Sequence, residues 1–349
     1  MLEAVSMPVK LIIQIPCFNE EASLPITLAE LPRSLPGIDT IEYLVMDDGS
    51  TDATIEVARA LGVHHIVGFG TNKGLARAFM LGIHESLARG ADIIVNTDAD
   101  NQYVASDIGK LIEPILARRA DIVIGARPIA TIRHFSFFKK VLQKVGSYAV
   151  KLLSGTTVND APSGFRAFSR HAAVSLNVFS RYTYTLETII QAGQKNLVVE
   201  SVPIRVNGEL RPSRLVSSIP SYVRKSLTTI VRMFVVYRPF RFFMVTGGAI
   251  FFGGVFVGVR FIYHFTQGRG SGMVQSLILA AVLLMIGFQT MTLAFIADLL
   301  SVNRRLLEEL QVAERERQLA AHSSGAGPRP LPAGAIQHHS SAPYLATRD

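Results

Sequence analysis

The sequence predicts an α/β domain with a mainly parallel sheet and helices on both faces, followed by interfacial helices and a two-helix transmembrane hairpin. Three observations predict it. Short apolar runs alternate with amphipathic segments up to about residue 205, the βαβα pattern of a parallel sheet. The runs end in polar tips, Asn19-Glu20, Asp47-Asp48, Asp98-Ala99-Asp100 and Arg127, and in such sheets ligands bind beyond the carboxyl ends of the strands. Residues 242–259 and 270–297 hold no ionisable group over 18 and 28 positions, and about 20 apolar residues in a helix cross a bilayer core of roughly 30 Å.

The elements follow in order. "VKLIIQIP" is a continuous apolar run ending in a Pro and a polar loop, as in a strand buried on both faces. "ASLPITLAEL" has apolar residues at helical spacing, and "IEYLVMDD" is the next strand. "GSTDATIEVARAL" is a helix with a Ser/Thr/Asp start signal. "HHIVGF" is a short strand, and "LARAFMLGIHESLARG" is a helix closed by Gly90. "ADIIVNTD" and "ADIVIGA" are two more strands flanking a helix near 105–119. Residues 215–239 mix apolar and basic residues at roughly helical spacing, which predicts helices on the membrane surface with their bases toward anionic lipid. "DLLSVNRRLLEELQVAERERQLA" is a charged helical extension after the second span, and the Gly/Pro/Ser-rich stretch from about Ser323 reads as disordered. The expected organisation is therefore a first domain over 1–214, interfacial helices over 215–239, a hairpin over 240–298, a charged helix over 299–322 and a tail over 323–349.

Composition agrees. The mean hydropathy is +0.31, with only 18% charged residues. Lys and Arg outnumber Asp and Glu by 35 to 27 over 349 residues, a net charge of +8. Where those bases fall argues against a nucleic-acid partner. Arg224, Lys225, Arg232, Arg238 and Arg241 precede the first span, Arg304 and Arg305 follow the second, and the connecting loop holds only Arg269, with Arg260 near the end of the first span. The positive-inside rule then puts both termini and the first domain in the cytoplasm of a multi-pass plasma-membrane protein. "MLEAVSMPVK" lacks an apolar h-region, so no secretory leader is expected. The single Cys17 excludes an internal disulfide and a multi-cysteine metal site.

The chemistry concentrates at "TDADNQY". Like charges a few ångströms apart are unfavourable unless a cation sits between them. A hard divalent ion takes oxygen ligands and keeps positions for phosphate oxygens, and Asp98, Asp100 and the Gln102 carbonyl can supply such a site. Taken alone, an Asp-x-Asp also fits an ordinary turn.

Four further segments change that balance. "PCFNEE" (16–21), "MDDGSTDAT" (46–54), "NKGLARAF" (72–79), "TDADNQY" (97–103) and "NDAPSGFRAF" (159–168) come in this order. Together they resemble the inverting family 2 glycosyltransferases of GT-A fold. Within them the match is to the polyprenyl-phosphate branch, similar to dolichol-phosphate mannose synthases and to relatives with two C-terminal spans, over about residues 8–300.

The resemblance implies roles. Pro16, Asn19, Glu20 and Lys73 border the nucleotide, and Asp47 contacts its base. Asp98, Asp100 and Gln102 bind ribose, metal (Mg2+ or Mn2+) and diphosphate. Asp160, Ser163, Gly164 and Arg166 line the acceptor side, with Asp160 as general base or as the group that orients the acceptor. Arg127, in "GAR", sits near the phosphates. The family's R-x-x-G-x-S-K segment is altered here to "GELRPSRL", with Gly208 and Arg211 at the Arg and Gly places, although Arg211 and Arg214 remain suited to a phosphate. Lys139, Lys140 and Lys144 are candidates for the lipid phosphate or solvate a helix face. The implied partners are a UDP- or GDP-linked sugar, a polyprenyl phosphate (undecaprenyl or dolichyl) and the membrane, with a homo-oligomer compatible. Two rivals stand beside this reading. A processive polysaccharide synthase is disfavoured by the absence of tryptophan, which removes the Q-x-x-R-W motif, and by only two spans. A non-catalytic scaffold on a transferase fold is disfavoured by the intact Asp98, Asp100 and Asp160.

Overall fold

In a computed structural model of the protein, the described residues are 8–128, 147–208 except 149, 153, 157, 159 and 179–183, then 224, 228, 231–232, 234–268, 274–323 and 335–337. The apolar runs become strands β1 (Lys10–Cys17), β2 (Thr40–Asp47), β3 (His65–Phe69), β4 (Ile93–Asn96) and β5 (Ile122–Ala126). Three more follow, β6 (Arg166–Ser169), β7 (Val199–Pro203) and β8 (Ala335–Gln337). The sheet order is β7-β5-β6-β4-β1-β2-β3-β8. β1 pairs in parallel with β2 and β4, β2 with β3, and β5 with β7. The chain moves one way from β1 to β2 and β3 and the other way to β4, so the β1/β4 crevice is a topological switch point.

The sheet departs from a simple parallel one at β6, which runs antiparallel between β4 and β5. Its first residues fall in the "NDAPSGFRAF" segment, where the sequence pattern predicts no strand. A four-residue strand opening on an arginine carries too short an apolar pattern to declare itself.

Helices cover both faces. α1 (Leu24–Glu30), α2 (Thr54–Ala60) and α4 (Ile108–Leu116) contribute Leu24, Ala58, Ile108 and Leu111 to one buried layer with Leu11, Ile13 and Ile15 of β1. α3 (Leu75–Ala88) covers the opposite face, where a Cβ on Gly82 would come within 2.5 Å of Gln14 Oε1 and 2.7 Å of Met46 Sδ. α5 (Arg170–Ser175) is capped by Ser169, whose Oγ accepts from the Ala172 N–H. α6 (Thr185–Gln194) follows Tyr184, whose ring stacks on Phe79 of α3 at 3.9 Å and 5°. The start of α2 differs from its predicted signal: the N-cap is Ala53, and Asp52 instead takes the Thr54 N–H on Oδ1 at 3.1 Å.

The chain divides into two units, Met1–Val223 with Val312–Asp349, and Arg224–Gln311. The second unit holds α7 (Pro239–Thr266) and most of α8 (Val274–Ser323), two helices long and apolar enough to cross a membrane. Their apolar windows are only 11% and 17% buried, unlike the core helices of a soluble protein. Glycines bring the two helices together, since a Cβ on Gly247 would meet Met291 N at 2.8 Å and one on Gly287 would meet Phe251 N at 2.5 Å. Arg304 lies over the Tyr237 ring at 4.4 Å. α8 continues without a break through the expected boundary at 298/299. Its end belongs to the first unit, where Arg315 donates to the carbonyls of Val174 and Leu176. Within the predicted tail, β8 pairs antiparallel with β3, Ala335 opposite Phe69. Most of the predicted interfacial segment lies outside the described residues.

Candidate active site

Each strand tip is locked by side chains that accept backbone N–H groups. Asn19, after β1, adopts φ +56°, a left-handed conformation that Asn tolerates. Its Oδ1 takes the Thr51 N–H at 2.8 Å, which ties the β1 tip to the turn after β2. Next to it, Glu20 is buried, accepts from Ser23 Oγ at 2.5 Å, and donates its own N–H to Thr54 Oγ1 at 2.8 Å. Pro16 is buried in β1 opposite Met46. Asp47 is buried and takes the N–H of Gly49 at 3.2 Å and of Ser50 at 3.1 Å. Only glycine fits at 49, where φ is +77° and a Cβ would come within 2.6 Å of Thr71 C. Asp48 accepts from the N–H groups of Lys73 at 2.7 Å and Gly74 at 2.9 Å. Burial raises its pKa against those bonds. Lys73 itself is exposed beside this cluster.

The β4 tip carries the acidic pair. Burial pushes the Asp98 carboxyl up to about 7, and the Asp100 charge adds to the effect, while Arg127 and a hydrogen bond from Tyr103 oppose it. Asp100 Oδ1 accepts the Gln102 N–H at 3.1 Å, an Asx turn that aims the loop, and the Gln102 carbonyl takes the Asn207 N–H at 2.9 Å. Among the described residues, no third His, Cys, Asp or Glu joins the pair. Two carboxylates one residue apart match a hard divalent ion, which takes oxygen ligands and keeps several non-protein ones. The residues therefore fit Mg2+ or Mn2+ held by Asp98 and Asp100.

The acceptor-side loop 160–165 leads into β6 and so arrives at the same sheet edge. Asp160 is fully buried and bonded by Arg127 at the end of β5, Nε to Oδ2 at 2.7 Å and Nη2 to Oδ1 at 3.1 Å. Gly164 lies against the acidic pair: a Cβ there would sit 2.9 Å from Asp98 Oδ2 and 3.1 Å from the Tyr184 hydroxyl. Ser163 is buried, and its Oγ has no hydrogen-bond partner among the described residues.

Arg166, expected at the acceptor phosphate, occupies a different place. Its guanidinium is fully buried and donates to Ser163 O (2.7 Å), Ala161 O (2.6 Å), Thr185 O (2.7 Å) and Thr188 Oγ1 (2.7 Å). Burial draws its pKa down to about 10. It braces the loop from behind, because the antiparallel start of β6 turns this side chain toward α6. Lys139, Lys140, Lys144, Arg211 and Arg214 lie outside the described residues.

Two residues the sequence reading passed over belong to the site. Asn96 accepts Gln14 Nε2 at 2.9 Å and donates to Gly164 O at 2.9 Å and to the Tyr184 hydroxyl at 2.9 Å. Tyr103 receives the Gly164 N–H on its hydroxyl at 3.1 Å. Their signal was faint but present: an amide closing an apolar strand, and an aromatic three residues after the second aspartate.

A Rossmann-like sheet with an acidic tip at its switch point places a ligand site beyond the carboxyl ends of the strands, and comparison with known proteins gives the class. Residues 12–176 match the family described as Glycosyl transferase family 2. The chain is 32% identical over 216 residues to the UDP-N-acetylglucosamine--dolichyl-phosphate N-acetylglucosaminyltransferase of Methanococcus voltae, covering 55% of this chain and 83% of that one. It is 29% identical over 216 residues to the undecaprenyl-phosphate mannosyltransferase of Micrococcus luteus, covering 59% and 87%. The crystal structure of glucosyl-3-phosphoglycerate synthase from Mycobacterium tuberculosis superposes with a TM-score of 0.50 at 20% identity, covering 65% of this chain and 79% of that one. That likeness shows the GT-A fold. The chain belongs to glycosyl transferase family 2 and is a glycosyltransferase.

Proposed function

We propose that the protein transfers one sugar from a UDP- or GDP-linked donor to the phosphate of a polyprenyl phosphate, inverting the anomeric centre, at the cytoplasmic face of the plasma membrane. The observation that carries this reading is one sheet edge where the Asp98–Asp100 tip meets the loop of the Arg127–Asp160 pair, in a chain with two exposed apolar helices. The relatives support the acceptor. The two named above differ in sugar, and both names specify a polyprenyl monophosphate.

The acceptor phosphate already carries negative charge, with a second pKa of about 6, so its oxygen needs little activation. In this reading Asp160 orients it and takes any remaining proton, and Arg127 faces its charge. The phosphate oxygen bonds to the anomeric carbon as the bond from that carbon to the donor diphosphate breaks, and the nucleoside diphosphate leaves. A divalent ion held by Asp98 and Asp100 would supply charge neutralisation for that leaving group. Gln102 would border the same phosphates. The spans keep the domain where a headgroup is presented while its tail stays in lipid, and basic residues near an anionic surface add about 1 kcal/mol each.

The test supplies purified full-length protein with UDP- and GDP-sugars and undecaprenyl phosphate, with products resolved by lipid mass spectrometry. One sugar on one phosphate is expected. Growing glycan chains would replace the reading with a processive synthase, and nucleotide binding without turnover would replace it with a scaffold. A reporter fused after residue 349 is expected in the cytoplasm, and a tag near Gly268 outside it.

A further inference from the structure

Tyr103 sits in an apolar layer with 4% of its surface exposed, and its ring stacks on Phe165 at 4.9 Å and 8°. Phenylalanine would fill that layer equally well. A phenol hydroxyl buried there loses its water and needs partners to offset the loss. Its oxygen accepts the Gly164 N–H at 3.1 Å. That leaves the phenol proton for one further acceptor, and the Asp98 carboxylate lies against the same glycine.

The backbone around Tyr103 is held as well. Tyr103 bridges Val206, and the neighbouring Gln102 carbonyl takes the Asn207 N–H at 2.9 Å. The hydroxyl is therefore delivered from a fixed frame, and it reaches the point where two loops touch. Gly164 lies so close to Asp98 that no side chain fits between them. Tyr103 Oη thus holds the backbone of the residue that packs against the acidic pair.

We propose that the Tyr103 hydroxyl is the positioning group for Asp98, setting its carboxylate for the donor's cation and tying it to the acceptor-side loop through Gly164. This rests on the reading of Asp98 as a ligand of the cation that accompanies the donor diphosphate. Tyr103 touches no reacting atom. It acts through Asp98, as hydrogen-bonding groups behind metal ligands do, and their loss typically weakens metal affinity about 10- to 100-fold. Because the same oxygen holds Gly164, its loss also loosens the acceptor side, which a group serving the donor alone would not do.

The experiment uses full-length protein in detergent and reads Mn2+ binding in the presence of UDP by electron paramagnetic resonance, with steady-state kinetics beside it. Tyr103→Phe keeps the ring stack and removes the hydroxyl. Its Mn2+ Kd is expected to rise about tenfold and its KM for polyprenyl phosphate to rise too, with the melting midpoint in EDTA close to the parent's. Phe165→Leu, which removes the stack and keeps the hydroxyl, is expected to melt lower while binding Mn2+ like the parent. Parent-like Mn2+ affinity in Tyr103→Phe overturns the proposal. So does an equal loss of affinity in Phe165→Leu, which would assign the effect to packing. A parent that binds UDP but no Mn2+ overturns the cation reading itself, and this proposal with it.

Discussion

Arg127 grips Asp160 with three N–H donors: Nε and Nη2 on the two carboxylate oxygens at 2.7 and 3.1 Å, and its own backbone N–H on Oδ2 at 3.2 Å. The pair joins the end of β5 to the loop before β6, and the carboxylate is fully buried. Removing one partner of a buried pair leaves an uncompensated charge and costs about 3–5 kcal/mol. Arg127→Met is therefore expected to lower the denaturation midpoint strongly, Asp160→Asn less, and the double variant is expected to recover much of the loss. A double variant no more stable than Arg127→Met would show that the two do not act as a unit. Both single variants are expected to lose most turnover.

Arg166 predicts a stability defect from which any acceptor defect follows. Lysine cannot reproduce four directed bonds from one planar group, and the carbonyls of Ser163, Ala161 and Thr185 would lose donors. Arg166→Lys is expected to destabilise the protein by about 2–4 kcal/mol, measured by chemical denaturation. Because two of those carbonyls belong to the acceptor-side loop, the KM for the lipid acceptor is expected to rise together with the loss of stability; a large rise in that KM with unchanged stability would move Arg166 back to the phosphate.

Asp98 gives a pH signature. Its carboxyl titrates near 7 in the folded protein, against 3.8 ordinarily. Between those values the folded state binds the extra proton, so this group's contribution to stability declines as pH rises from about 4 to about 7. Asp98→Asn removes the burden. In EDTA the variant is expected to melt above the parent at pH 8, and the advantage is expected to shrink toward pH 4. A constant difference across that range would contradict the raised carboxyl. Activity of Asp98→Asn is expected to fall regardless of pH.

His84 gives the opposite slope. Burial, with Arg315 nearby, lowers its pKa to about 4 from 6.5, and its Nε2 has no partner among the described residues. The unfolded chain takes up a proton below pH 6.5 that the folded one refuses until about 4, so stability is lost as pH falls through that window. Melting curves of His84→Gln are expected to be flatter than the parent's between pH 6.5 and 4; identical slopes would exclude His84 as the source.

Much of this site was readable beforehand, for a physical reason. Strands buried on both faces are continuous apolar runs, so β1, β2, β4 and β5 announced themselves, and the residues that end them fall at one sheet edge by topology alone. What escaped depended on direction. Arg166 reads the same whether it faces a ligand or a cage of carbonyls, and only the antiparallel entry of β6 decides. Tyr103 looks like one more core aromatic until its hydroxyl has neighbours. α8 was divided at residue 298 because composition changes there, while the helical backbone does not.

The reversed strand has a consequence for anyone who would alter this enzyme. Arg166 stands opposite Asn96 on one side and Ile124 on the other, so β6 is indexed against two partners at once. Adding or deleting one residue in the 160–165 loop would break the anchors at Asp160 and Gly164 or, if the strand slipped to absorb it, invert the facing of the whole strand and swing Arg166 out of its cage. Natural diversity and laboratory libraries should therefore show substitutions but few length changes there, and attempts to retarget the acceptor by grafting loops of another length should fail at folding before they fail at chemistry.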